Sequence, residues 1–409
     1  MLDHLFRHHS GKMVAVLTRI FGLTHLELIE DAVQDTFLKA SIHWRKQLPE
    51  NPEAWLTQAA KNRVVDIFRK LQSEKKNAPF LQQGINTVAI EELFLESEIE
   101  DAQLRMIFTA CHPKLDAKDQ IAFALKTIAG FSSKEIAAAL LTKEETIKKR
   151  LVRARKTIHK HNLQFTIPQG NQLPERIEHV LEVLYLIFNE GFHSIKKEVL
   201  VRKELCGEAM RLCKSLLKNS FTANSASYAL FALMCFHAAR LDAKVNANNE
   251  VIDLQSQDRN LWSFPLIQLG NAMMNKAVVN NEFSSYHYEA AIAAEHIKAP
   301  NFNMTNWTKI LQWYECLYQL NPSPSLLLNM GVVCLQTKNY VKANYYFNQL
   351  QPEDLEQRAY LYYGAKADYF SKTNNVNKAI EYINIALTKV SNELEKTYLT
   401  KKKTQLLAL

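Results

Sequence analysis

The chain has 409 residues, 47% of them hydrophobic, with 50 basic and 42 acidic side chains and a formal net charge of +8. Ten glycines and eleven prolines are few for that length, which argues against sandwiches, barrels and glycine-rich phosphate loops and for long helices with short connections. The motifs GxGxxG, GxxxxGK followed by Ser or Thr, GxSxG and HExxH do not occur. Nor does a CxxC pair among the six cysteines or a run of 18 apolar residues, so nucleotide-loop, hydrolase, metalloprotease, disulfide-scaffold and membrane-spanning classes are set aside.

An all-α chain in four pieces is expected. Residues 1–70 read as helices. The apolar stretch from Met13 to Leu23 is interrupted by Arg19 and lacks a small-residue cleavage site, so it reads as a first helix and not as a signal peptide. Leu26, Ile29, Val33, Phe37 and Leu38 recur at three- and four-residue steps and give the next helix an apolar face. Asp31, Gln34 and Asp35 fall on its other side, where they serve either a basic partner or water. After the break Gln47–Asn51, Pro52 sits at a helix start with Glu53 in its first turn, and that helix runs to about Lys70. Trp55 opens its buried face.

Residues 71–100 carry two basic and six acidic side chains around Gln82-Gln83-Gly84 and read as a polar tether. Residues 101–165 read as a compact helical unit. Here the charge reverses: 142–161 holds eight basic and two acidic residues, a candidate phosphate-binding surface. Ser132 to Arg150 has the form of a helix-turn-helix. Ser132 caps the first helix after Gly130, Ala137 permits a close crossing, and Ile136, Leu140 and Ile147 fill the interface. Thr142 is expected to cap the second helix, with Glu145 completing a capping box. That helix projects Lys143, Lys148, Lys149, Arg150, Arg153 and Arg155. Early basic residues on a second helix reach base edges and later ones meet phosphates; the bland alternative is a basic hairpin that binds nothing.

Three segments together resemble bacterial RNA polymerase sigma factors of the extracytoplasmic-function (ECF) type. Glu135-Ile136-Ala137, Thr146-Ile147 and Arg150-Leu151-Val152-Arg153-Ala154-Arg155 resemble the helix-turn-helix of sigma region 4, with Leu141 where many such turns have glycine. Glu30-Asp31-Ala32-Val33-Gln34-Asp35-Thr36-Phe37 resembles the region 2 helix that docks on core polymerase, and Asn51 to Lys70 the helix that approaches the −10 promoter element. The resemblance covers residues 1–161. It implies region 2 over 1–70, a linker over 71–100 and region 4 over 101–165, a cytoplasmic protein without catalysis of its own, and core polymerase (its two largest subunits) and promoter DNA as partners. It assigns polymerase contacts to Glu30, Asp31, Gln34 and Asp35. It assigns −10 contacts to Trp44, Arg45, Asn51, Lys61, Asn62, Arg63, Asp66 and Arg69, and −35 contacts to Lys143, Glu144, Thr146, Lys148, Lys149, Arg150, Arg153 and Arg155. No metal, cofactor or membrane partner is expected.

Residues 175–409 read as a helical extension. Gly331, Tyr340, Ala343 and Phe347, then Tyr363, Ala367, Phe370, Ala379, Ile383 and Ala386, follow the small/aromatic spacing of tetratricopeptide repeats between about 320 and 395. Leu184–Phe192 and Asp253–Trp262 look like signatures of an ECF subgroup with such an extension, which the resemblance makes a regulatory module contacting a ligand or a protein. The residues alone also allow a one-component helix-turn-helix regulator with a repeat sensor, or a peptide- or ligand-binding scaffold. His237, His287 and His296 read as structural histidines.

Overall fold

The computed structural model describes residues 2–45, 47–74, 96–140, 142–192, 199–244, 252–390 and 393–407. These residues are helical, with no strand among them. Most of the tether, 75–95, and Leu141 in the turn lie outside the described residues. Two compact units form: 1–194 with 200–222, and 195–199 with 223–409.

The first unit begins with α1 (Leu2–Phe21), α2 (Leu26–His43) and α3 (Pro52–Glu74). Ile29, Ala32, Val33 and Phe37 of α2 are buried, as their spacing requires, and Phe68 of α3 stacks on Phe21 at 4.5 Å. Leu38 departs from expectation. It is 62% exposed, because residues 33 and 37 already fill the inward stripe and position 38 turns past its edge.

Next come α4 (Glu96–Ala110), α5 (Ala117–Thr127), α6 (Ser133–Ala139) and α7 (Glu144–Lys160) around Phe108, Phe123, Leu125, Ile136, Ile147 and Leu151. Ser132 and Glu135 form a reciprocal capping box on α6, which satisfies two of its orphan N–H groups. The expected second box is absent. Lys143, in extended conformation and without a side-chain cap, precedes α7, so Thr142 stands one residue too early. Glu144 and Glu145 in the first turn supply the favourable negative charge instead. α1 crosses the end of α5 so closely that a Cβ on Gly11 would lie 2.0 Å from the Ile128 carbonyl oxygen.

The boundary expected between 165 and 175 does not end this unit. α8 (Leu173–Phe192) and most of α9 (Val199–Lys218) belong to it. Arg176 on α8 donates to the Phe108 carbonyl and lies over the Phe108 ring. Lys218 pairs with Glu100.

The second unit holds α10 (Ser225–Ala238), α11 (Phe264–Ala277), α12 (Ser285–Lys298), α13 (Trp307–Leu320), α14 (Pro324–Gln336), α15 (Tyr340–Asn348), α16 (Ala359–Lys372), α17 (Val376–Lys389) and α18 (Glu393–Leu407). The hairpins α14–α15 and α16–α17 repeat each other. Lys338 and Asn374 each adopt a left-handed turn, and the asparagine that follows, Asn339 or Asn375, caps the second helix through its side chain. Ala343, Phe347, Ala367, Ala379, Ile383 and Ala386 are fully buried, as the repeat spacing predicts. His287 is a structural histidine, buried between Ser225 and Ser284 at 2.9 Å from each hydroxyl. A Cβ on Gly331 would meet the Phe347 ring at 2.4 Å. Gly331→Ala is therefore expected to cost about 1–3 kcal/mol, since the buried ring must leave its rotamer. Chemical denaturation measures this, and an unchanged midpoint contradicts the close contact.

Candidate nucleic-acid interface

The helix-turn-helix presents its second helix by a division of faces. Ile147, Leu151, Ala154 and Ile158 are buried, while Lys143, Glu144, Lys148, Lys149 and Arg153 are exposed and Thr146 and Arg150 half-buried. Lys148 pairs with Glu144 and Lys149 with Glu145, each at 2.9 Å across one helical turn. Such exposed pairs contribute only about 0.3–0.5 kcal/mol and exchange readily for phosphate.

The two arginines farther along α7 are committed elsewhere. Arg153 reaches the buried carboxylate of Asp119 with Nε at 3.0 Å and Nη2 at 2.6 Å, a bidentate pair that ties α7 to α5. Its guanidinium is held above its ordinary pKa by that hydrogen bond and charge. Arg155 turns inward to Glu30 on α2 at 2.5 Å and to Glu27 at 3.4 Å. Glu30 is 5% exposed, so the expectation that it offers its carboxylate outward fails in this arrangement. Burial pushes its carboxyl above the usual range while Arg155 pulls it partway back. Both residues were expected to face partners; here they face each other, 125 positions apart in sequence.

On the outer side of α2, Asp31 and Gln34 are exposed, next to the exposed apolar residues Leu38 and Ile42. Asp35 is half-exposed and accepts a 3.0 Å hydrogen bond from Arg63 of α3. On α3, Asn62, Asp66 and Arg69 are exposed, Asn62 accepting from Gln58 and Arg69 lying 3.9 Å from Asp66. Lys61 is not available as a surface cation: it is 2% exposed, on the inward face with Ala60 and Val64. Trp44 lies edge-on to Trp55 at 5.6 Å, both half-buried, beside exposed Arg45 and Asn51. Asn51 caps α3 by accepting from the N–H of Ala54. The Trp44–Trp55 pair was not anticipated as a unit, although both residues were noted. No group of metal-ligating side chains occurs among the described residues, and no helix among them is long and apolar enough to cross a membrane.

Three family models match. Residues 5–74 match sigma-70 region 2, residues 105–158 match sigma-70 region 4, and residues 176–278 match a family of unknown function, DUF6596. An uncharacterized protein of Rhizobium meliloti (strain 1021) is 30% identical over 92% of this chain and 89% of its own. The ECF RNA polymerase sigma factor SigE of Mycolicibacterium smegmatis is 27% identical over 38% of this chain and 59% of its own. The ferric citrate uptake sigma factor FecI of Escherichia coli K12 is 28% identical over 41% of this chain and 92% of its own. No solved structure matches the chain.

Proposed function

Because the chain belongs to the extracytoplasmic-function sigma-70 family and carries a C-terminal extension, we propose that it binds core RNA polymerase through α2 and directs it to promoters read by α3 and α7. Asp31 and Gln34, flanked by Leu38 and Ile42, form the polymerase face. Trp44, Arg45, Asn51, Asn62, Asp66 and Arg69 meet the −10 element, where an unstacked base needs a pocket and the single strand needs cations. Lys143, Glu144, Thr146, Lys148, Lys149 and Arg150 meet the −35 element. The observation that carries this reading is the outward basic face of α7 above a fully buried apolar one.

Two arrangements are required. Promoter elements at −10 and −35 lie about 25 base pairs apart, about 85 Å of duplex. Regions joined by Arg155–Glu30 and by the Gly11–Ile128 contact do not span that distance. The compact unit is therefore the form off DNA, and opening it frees Glu30 and Arg155 for partners. A buried ion pair suits this role, because desolvation offsets much of its attraction and a new partner for each charge releases it at low cost. The extension acts on this equilibrium in cis, since α8 and α9 pack within the same unit as both sigma regions.

Size-exclusion chromatography with core polymerase tests the docking face. The full chain is expected to co-elute, and Asp31→Lys to bind at least about tenfold more weakly through like-charge repulsion. Equal co-elution removes Asp31 from the interface; absence of wild-type binding rejects the reading. For regulation, a chain ending at Thr222 keeps the first unit whole, whereas one ending at Leu163 strips Arg176 from Phe108. The Thr222 truncation is expected to differ from the full chain in promoter-dependent transcription. Equal activity makes the second unit a passenger.

A further inference from the structure

The second unit contains a cluster of cations that the sigma reading leaves unused. Arg240 follows α10 and Arg259 opens a 3-10 turn, Arg259–Leu261. Both guanidiniums lie over one indole, that of Trp262, at 5.9 and 4.4 Å from its centroid. Trp262 itself is 8% exposed. Arg259 donates through Nη1 to the carbonyl oxygens of His296 and Ala299, each at 2.8 Å, which satisfies the C-terminal end of α12.

That contact accounts for one edge of one guanidinium. Arg259 Nη2, Arg240 Nε, Trp262 Nε1 and His296 Nδ1 are buried without a hydrogen-bond partner in the protein, and so is Gln257 Oε1. No carboxylate pairs with either arginine among the described residues. Asp258, the adjacent acid, accepts instead from the backbone N–H of Asn260 at 2.9 Å. Burial and the facing Arg259 pull Arg240 down to about 10, and burial with both arginines holds the His296 imidazole near 4. His296 is thus neutral at pH 7 and offers one N–H.

Buried polar groups are nearly always hydrogen-bonded, and buried like charges oppose each other unless an opposite charge joins them. Helix-end electrostatics explains Arg259 at the end of α12, but not a second guanidinium on the same ring with no acceptor. Two further unpartnered ring nitrogens, those of Trp262 and His296, point the same way, whereas Gln257 Oε1 is an acceptor and lends the anion no support. We propose that Arg240 and Arg259 grip a small-molecule oxyanion, a phosphate or carboxylate group, with the Trp262 indole N–H and the His296 imidazole completing the donor set. Paired arginines suit such a group because each presents a planar fork of donors. The proposal concerns what this unit binds and is independent of the polymerase reading.

The test is thermal unfolding of the full chain, with tryptophan fluorescence, in inorganic phosphate, acetate and chloride at equal ionic strength. Wild-type protein is expected to show a saturable stabilisation by phosphate or by acetate, and the more effective anion identifies the head group. Phosphate also stabilises proteins generally by exclusion from their surfaces, so the variants carry the comparison. Arg240→Gln is expected to need about tenfold more anion or to lose the response, as removal of a charged hydrogen-bonding partner predicts. Trp262→Phe removes the indole N–H and keeps a smaller aromatic face beneath the arginines, and is expected to weaken the response several-fold; it decides the matter should Arg240→Gln fail to fold. The same response in wild type and in the folded variants, or no response beyond chloride in wild type, overturns the proposal and leaves a hydrated structural cluster.

Discussion

Gly11→Ala is expected to destabilise the chain by about 3 kcal/mol or more. The added methyl would lie 2.0 Å from a backbone carbonyl oxygen, that of Ile128, which cannot rotate away as a side chain does. The sign of the change is diagnostic. Gly11 is inside a helix, and in a helix whose surface touches nothing the same substitution stabilises by about 1 kcal/mol. A loss in denaturant midpoint therefore supports close packing of region 2 on region 4, and a gain contradicts it. On the proposed reading, in which the compact form opens on DNA, Gly11→Ala is also expected to raise the fraction of chain able to bind polymerase at temperatures where it stays folded.

Replacing Lys148, Lys149 and Arg150 together by alanine is expected to lower promoter affinity on the order of a hundredfold at low salt and to reduce the salt slope of binding by about 2 to 3. Fold stability should hardly change, since the pairs lost to Glu144 and Glu145 are exposed. Arg153→Ala is expected to act differently. It strands the buried carboxylate of Asp119, so the loss appears first in thermal stability and only then in binding. Filter binding of the full chain over a salt series separates the two. An unchanged slope in the triple variant removes α7 as the phosphate-facing helix.

Much of this was legible from local pattern. The Ser132 cap, the buried stripe of α7 and the small/aromatic repeat each follow from residues a few positions apart, and local spacing is what a sequence displays. What was not legible depends on distant partners. Nothing near Glu30 announces Arg155, and nothing near Arg153 announces Asp119, so three charges read as partner-facing, Glu30, Arg153 and Arg155, prove to be held in pairs within the chain. Lys61 misled for a related reason: a lysine beside Arg63 reads as a surface cation unless its place on the inward face is counted. Thr142 misled by one residue, because both it and the extended Lys143 precede a helix start and only the backbone decides which is the cap. The boundary expected between 165 and 175 is a break between helices but not an edge of packing, since Arg176 carries the chain back onto Phe108. The twin arginines on Trp262 lie nineteen positions apart in sequence; Arg259 stood within the signature-like string Asp253–Trp262, but nothing in that string pointed to Arg240.

Run-off transcription with purified core RNA polymerase, the full chain and a pool of upstream DNA fragments tests the central claim most directly. The account predicts discrete transcripts that require both proteins, start at a fixed distance from a shared pair of sequence elements, and disappear with the Lys148, Lys149 and Arg150 triple variant. Transcripts no different from core polymerase alone, from a chain that nevertheless binds DNA, would contradict it and leave a helix-turn-helix regulator in its place.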